Sequence, residues 1–186
     1  IYFDSVTYSD DEATKAFFNT DRDNELGFRS FRLGGKGNIY ENLIYNTEIE
    51  IRGTNAAISL KDIYAEQQSL PWVGHVRAGH FREPIGIEEE SGDLYLTFLE
   101  KSPATQAFTP DRNFGVMLWD TLDECQEATW FAGIFRADSP DSPTGTGEWR
   151  SDNNDWSFDT RFAWLPYYDE PSNGRYLTHL GTSYSH

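Results

Sequence analysis

Apolar and polar residues alternate one by one along much of this chain. From 29 to 40, Phe31, Leu33, Gly35, Gly37 and Ile39 fall on one side of an extended backbone. Ser30, Arg32, Gly34, Lys36 and Asn38 fall on the other. The alternation is cleanest over 43–52, where Leu43, Tyr45, Thr47, Ile49 and Ile51 oppose Ile44, Asn46, Glu48, Glu50 and Arg52. A period of two is that of a β-strand with two unlike faces. Tyr40-Glu41-Asn42 between these runs predicts a tight turn, and so a hairpin. The same period returns over 155–165, with Trp156, Phe158, Thr160, Phe162 and Trp164 against Ser157, Asp159, Arg161 and Ala163. Less tidy strands are predicted at 1–9, 57–67, 76–83, 114–119, 128–136 and 176–184. The total is about nine strands, with no convincing helix beyond a single turn at 13–19.

The connections are unequal. Short turns are predicted at 40–42, 69–74 and 166–174, and longer polar loops at 10–24 and 137–154. Pro84 removes a backbone donor and stops the strand that precedes it. The segment 84–111 then runs without a period until the chain returns at Phe114. A loop of that length inside an all-β chain is usually functional. Glu88, Glu89, Glu90 and Asp93 make it acidic, while Arg82, Lys101 and Arg112 bracket it with cations. Several strands run to about ten residues, longer than the globular mode. A tilted strand of roughly 9–11 residues crosses a bilayer core.

Composition sharpens this picture. Only 38% of the 186 residues are hydrophobic, yet 16% are aromatic. Few aliphatics and many rings suit strands better than helices. They also suit a membrane barrel, which needs one apolar residue in two and aromatic girdles at both interfaces. The formal net charge of -16 argues against nucleic acid as a partner, since phosphate binding needs a basic face. The single Cys125 permits no internal disulfide. No run of about 18 apolar residues exists, so no membrane-spanning helix is expected. The chain opens and closes in what reads as mid-strand, with no signal peptide in view, and is expected to be a fragment of a longer barrel.

Other chemistry is weakly signalled. His75, His80, His179 and His186 have no metal-ligand spacing, and on a strand His75 and His80 point to opposite faces. The segment 138–155 lacks an ordered calcium loop. No glycine loop cradles phosphate ahead of a helix. No enzyme activity, metal or cofactor is expected.

The segments AGHFREPIGIEE, LYLTFLEKSPATQAFTPDRNFGVML and WFAGIF resemble the phosphate-selective porin O and P family of bacterial outer membranes. FRSFRLGGKGNIYENLIYNTEIE, ISLKDIYAEQ and the closing RFAWLPYYDE and YLTHLGTSYSH follow in family order, from about Phe28 onward. The resemblance implies an all-β, antiparallel transmembrane β-barrel. The present strands would be the N-terminal half of a barrel of roughly 16. It also implies a single domain over 1–186 whose loop at 84–111 folds into the lumen. Passive diffusion of small hydrophilic, anionic solutes such as phosphate, contact with outer-membrane lipid and a homotrimer follow from the same resemblance.

In that arrangement the apolar sets face lipid, and Trp72, Trp119, Trp156 and Trp164 sit at headgroup level. The constriction is expected to use Arg82, Lys101 and Arg112 with Glu88, Glu89 and Glu90. Arg32, Lys36, Glu48, Glu50, Arg52 and Arg161 would line the wall. One departure bears on selectivity. Phosphate-specific members carry lysines early in the loop, whereas this chain has three glutamates there. A loop carboxylate cluster opposite wall arginines resembles the transverse field of a general porin. The alternative reading is a secreted carbohydrate-binding β-sandwich that uses exposed rings as stacking platforms. Extraction separates the two: the full-length protein is expected to leave the cell envelope only in detergent, whereas a sandwich would be soluble in buffer.

Overall fold

A chain that alternates at every second residue satisfies its backbone by pairing strand against strand. In the computed structural model each strand pairs with its neighbours in sequence. The structure describes residues 2–6, 25–52, 58–92, 95–98, 100–122, 127–136, 156–172 and 174–186, with backbone alone for 2–6, 25–29 and Arg52. The loops expected at 10–24 and 137–154, the turn at 13–19, Asp93 and Cys125 lie outside the described residues.

Nine strands are described: β1 Tyr2–Val6, β2 Glu25–Ile39, β3 Leu43–Arg52, β4 Ile58–Leu70, β5 Gly74–Arg82, β6 Arg112–Thr121, β7 Ala128–Arg136, β8 Trp156–Tyr168 and β9 Leu177–Ser185. They form one antiparallel sheet in the order of the sequence. Among the described residues there is no second sheet, which removes the sandwich alternative. The sheet is open, with β1 and β9 at its edges, and is consistent with part of a β-barrel.

The register carries one face unbroken from strand to strand. Arg32 lies opposite Glu50, Asn46 opposite Tyr64, Glu66 opposite Arg77, Arg77 opposite Met117, Trp119 opposite Phe131, and Phe131 opposite Arg161. This face, termed the inner one, is the face that the loop residues Glu90 and Gly92 approach. The outer face carries Leu33, Ile58, Val116, Ile134, Phe158, Phe162 and Leu180, all exposed. Leu33 keeps 58% of its surface and Phe158 47%. An apolar face this wide is the mark of a surface made to be covered. Phe31 and Ile49 share it, so the apolar sets lie where the alternation places them.

Strand β8 overruns its predicted end. The turn expected from Pro166 begins only after Tyr168, because Pro166 sits in a register break between Trp164 and Tyr167, where no ladder donor is required. Two short helices also interrupt the long loop, α1 Ile87–Glu90 and α2 Pro103–Phe108. Both are too short for a 3.6-residue period to show in sequence. The start of α2 does carry a local signal: Ser102 accepts from the Thr105 amide, and Pro103 opens the first turn.

Buried apolar residues gather on the inner face. Phe81, Met117 and Phe135 are enclosed there, with Tyr64, Trp119 and Phe131 packed around them. Trp119 therefore departs from the headgroup position expected for it: it stacks on His75 at 4.1 Å and lies near-parallel to Phe131 at 6.0 Å. Trp72, Trp156 and Trp164 remain exposed. Two glycines make room for the cluster. A Cβ on Gly115 would stand 2.4 Å from the Phe135 ring, and one on Gly133 would stand 2.5 Å from it. Gly35 on the outer face has nothing within 4 Å. Gly115→Ala is accordingly expected to cost about 1–3 kcal/mol through overpacking, whereas Gly35→Ala stays near neutral. Urea unfolding of the full-length protein in micelles, followed by tryptophan fluorescence, measures the difference.

Candidate functional site

Strands β5 and β6 meet last at the pair Arg82 and Arg112, and the loop leaves between them. Just beyond, the Glu83 amide donates to the Asp111 carbonyl at 3.2 Å and closes the neck of the loop. Between loop and wall lies a cavity of about 300 Å³. Arg32, Arg77, Arg82 and Arg112 line it, with Glu48, Asp62 and Glu90 as its acids and Tyr64 and Phe81 as its rings.

Each arginine is held by a carboxylate or carbonyl. Arg32 Nε donates to Glu50 at 2.8 Å, and Lys61 Nζ lies 3.6 Å from the other oxygen of that buried carboxylate. Arg77 Nε donates to Glu66 at 2.7 Å, and its guanidinium lies 4.3 Å from the centre of the Tyr64 ring. Glu66 is buried, and Trp119 Nε1 also donates to it. Arg112 grips both oxygens of Asp62, at 3.0 and 3.4 Å, and Asp111 at 2.9 Å. Arg82 Nη1 donates to the carbonyls of Glu89 and Ser91, tying the end of α1 to the wall. Planar guanidinium groups fixed in this way keep their charge and lose little further freedom when an anion arrives.

The loop glutamates divide by role. Glu88 accepts from the Ser102 amide at 2.7 Å, the Ser102 hydroxyl at 2.6 Å and the Thr105 hydroxyl at 2.5 Å. It thus joins the segment of α1 to the start of α2. Those hydrogen bonds, Ser102 foremost, hold its carboxyl below the usual carboxylate range. Glu89 is buried and accepts from Lys101 Nζ at 2.6 Å. Only Glu90 of the three lines the cavity. It is open to solvent, yet enclosure by the walls pushes its carboxyl upward, while Arg161, Arg77 and Arg82 draw it back. Asp111 reports the local field. Burial acts upward on it, but Arg112, Lys61, Lys101 and Arg82 together hold it below its ordinary value.

The residues named from sequence are therefore spread over several positions. Arg82, Arg112, Arg32, Glu48 and Glu90 meet at the cavity. Lys101, Glu88 and Glu89 are spent on the loop's own structure. Glu50 is a buried partner behind Arg32. Arg161 is on the inner face of β8, 5.7 Å from the Phe131 ring. Lys36 is exposed near the short-turn end, opposite Asn46. The Arg52 side chain lies outside the described residues.

Sequence reasoning missed Arg77, Asp62, Tyr64 and Phe81. Arg77 had a signal: it stands between Val76 and Ala78, a charge set among outward apolar positions. Asp62 had none, because the irregular register of β3 with β4 between Thr47 and Ile49 breaks the alternation there. Among the described residues no group of three His, Cys, Asp or Glu is placed to hold a metal ion.

The comparisons with known proteins bear on the whole chain. Over an alignment of 173 positions the chain is 28% identical to an uncharacterized protein of Caulobacter vibrioides, and the alignment covers 87% of this chain and 31% of that protein. The chain thus spans about a third of the length of that relative. No solved structure matches it. The family model for phosphate-selective porin O and P matches residues 4–186. With its single antiparallel sheet, its outward apolar face and this match over nearly its entire length, the chain belongs to the phosphate-selective porin O and P family.

Proposed function

We propose that the protein of which this chain is part is an outer-membrane porin that passes small hydrophilic anions by passive diffusion. The 84–111 loop would narrow the lumen, and outer-membrane lipid would cover the outer face. The observation that carries the anion reading is the cavity between loop and wall. Four arginines line it against three acids, and the nearby Asp111 is held low by the surrounding cations. In a confined passage with poorly screened walls, fixed guanidinium groups raise the local concentration of anions. Release stays fast because Arg32, Arg77 and Arg112 are already partly neutralised by the carboxylates of Glu50, Glu66 and Asp62. Of the predicted acidic triplet, Glu90 alone opposes anion entry. Phosphate fits this site as one small oxyanion among several, and three-fold assembly belongs to the same proposal through the family.

Reversal potentials of the full-length protein in planar bilayers, under a potassium chloride gradient, test this reading. Wild type is expected to prefer chloride. Arg77→Ala, which also frees the acid of Glu66, is expected to lower the chloride-to-potassium permeability ratio by roughly twofold to tenfold. Glu90→Gln is expected to raise it. A cation-selective wild type would defeat the proposal.

The loop glutamates give a second test. Glu88→Gln is expected to leave the permeability ratio near wild type while raising protease cleavage within 84–111, because it loosens the α1–α2 connection. The same connection has a pH signature. A carboxyl held below its unfolded value stabilises the docked loop above about pH 4 and loses that effect as pH falls further. Wild-type protection from acid-active protease should therefore decline on acidification towards pH 3, and the Glu88→Gln protein should lack that part of the decline.

A further inference from the structure

A second cluster of ionisable groups lies at the base of the loop, apart from the arginine cavity. Glu83 is the last residue before Pro84, and Asp159 stands on the inner face of β8. Both are almost wholly enclosed, at 1% and 0% exposure. Asn113 Nδ2 donates to Glu83 Oε1 at 2.6 Å. The Ser157 hydroxyl donates to Asp159 Oδ2 at 3.4 Å. The two remaining oxygens, Glu83 Oε2 and Asp159 Oδ1, are buried and find no donor among the described residues. The two carboxyl side chains are within hydrogen-bonding reach of each other.

Two bare carboxylates do not share a buried site. Their repulsion and the loss of hydration are met either by a proton held between them or by a cation. The surroundings favour the proton. From β6 the group facing Glu83 is the neutral Asn113, and from β8 they are Ser157 and Asp159. From β7, Gly133 lies opposite Asp159, beside the Phe135 ring. Arg82 and Arg112, the adjacent cations, are committed to the loop carbonyls and to Asp62.

We propose that Glu83 and Asp159 form a proton-sharing latch that pins the root of the 84–111 loop to the wall at β8 and releases it when the proton is lost. A neutral carboxyl on one residue donates to the carboxylate of the other and satisfies both orphaned oxygens. Removing that proton leaves two adjacent negative charges out of water. The root then moves away from β8, and the neck closed by Glu83 and Asp111 opens. Burial, with the Asp159 carboxyl beside it, pushes Glu83 up to about 8. The docked state therefore binds more protons than the released one between the ordinary glutamate value and about 8. By linkage, docking is strongest at the acid end of that window and weakens as pH rises through it. This sign is opposite to that of the Glu88 connection, which weakens in acid.

The latch does not depend on anion selectivity, though its effect on conduction rests on the pore reading, so two readouts are used on the full-length protein. The first is limited proteolysis within 84–111 in micelles, from pH 6 to 9.5, with protease activity corrected at each pH on an unfolded substrate. The second is single-channel conductance and open-channel noise over the same range. Cleavage is expected to rise about fivefold or more above pH 8 in wild type, with conductance or noise rising in step. Glu83→Gln and Asp159→Asn each supply an uncharged donor in place of the shared proton. Both are expected to stay protected at pH 9.5, which a merely packed position would not explain. Folding of each variant is checked by heat-modifiable migration on gels.

A wild-type loop that stays protected to pH 9.5 overturns the latch. So does a transition that persists unchanged in both folded variants. Protection at pH 9.5 that is lost with a chelator, or restored by calcium, overturns it in favour of a bound cation. A proteolytic transition without conductance keeps the latch and fails the pore reading alone.

Discussion

Strict alternation governs what this sheet can do. With one residue in two committed to an apolar outer face, only the other half remains for chemistry, and those residues crowd together on the opposite face of the sheet. Charges at such density must settle among themselves. Arg32 with Glu50, Arg77 with Glu66, and Arg112 with Asp62 are the result. Each pairs residues from adjacent or nearly adjacent strands, so the register that sorts apolar from polar also brings cation to acid. A one-residue slip would turn every member of a strand's set to the wrong face. The pairs and the outer face therefore stand or fall together.

The loop depends on that frame in turn. It is tied to the wall through Arg82 at α1, through the neck between Glu83 and Asp111, and through the buried contact of Glu83 with Asp159. Its interior is joined by Glu88 and by the pair of Glu89 with Lys101. Beneath it the inner face also carries an apolar cluster. Phe81, Met117 and Phe135 fill the space on β5, β6 and β7, and Gly115 and Gly133 yield room for the ring of Phe135. A loop folded over a sheet needs something to pack against. Charged residues all along these three strands would offer it only costly desolvation.

The sheet was legible because its signal is binary. Leu43 through Ile51 alternate with Ile44 the one exception, and β3 keeps an unbroken register with β2. The nine strands and their order follow from the same period. The individual partners were not legible, because a pairing across strands depends on register, and bulges such as the one at Lys61 and Asp62 reset it. Glu83 shows the limit well. In sequence it is one acid among many at a loop edge, and only the fold sets it against Asp159, 76 positions on and three strands across the sheet. The loop triplet failed for a related reason. Three consecutive glutamates read as one charged block, yet on α1 they point in three directions, and two are consumed by Ser102, Thr105 and Lys101.

That division of the acids bears on the chain's net charge of -16. Taken as a sum, it argues against any role for anions. Taken by position, it argues otherwise. Glu50, Glu66 and Glu89 are buried counter-charges that hold cations in place and present little to water. Glu88 is covered by three hydrogen bonds. What a solute would meet between loop and wall is a local balance of arginines over acids, set by a handful of residues, and distant carboxylates on exposed connections are screened within about 10 Å. Buried acids of this kind serve the cations rather than oppose them: Glu66 accepts from Arg77 where its guanidinium lies over Tyr64. An acidic chain can therefore carry a local surplus of arginines, and it needs part of its acidity to hold them.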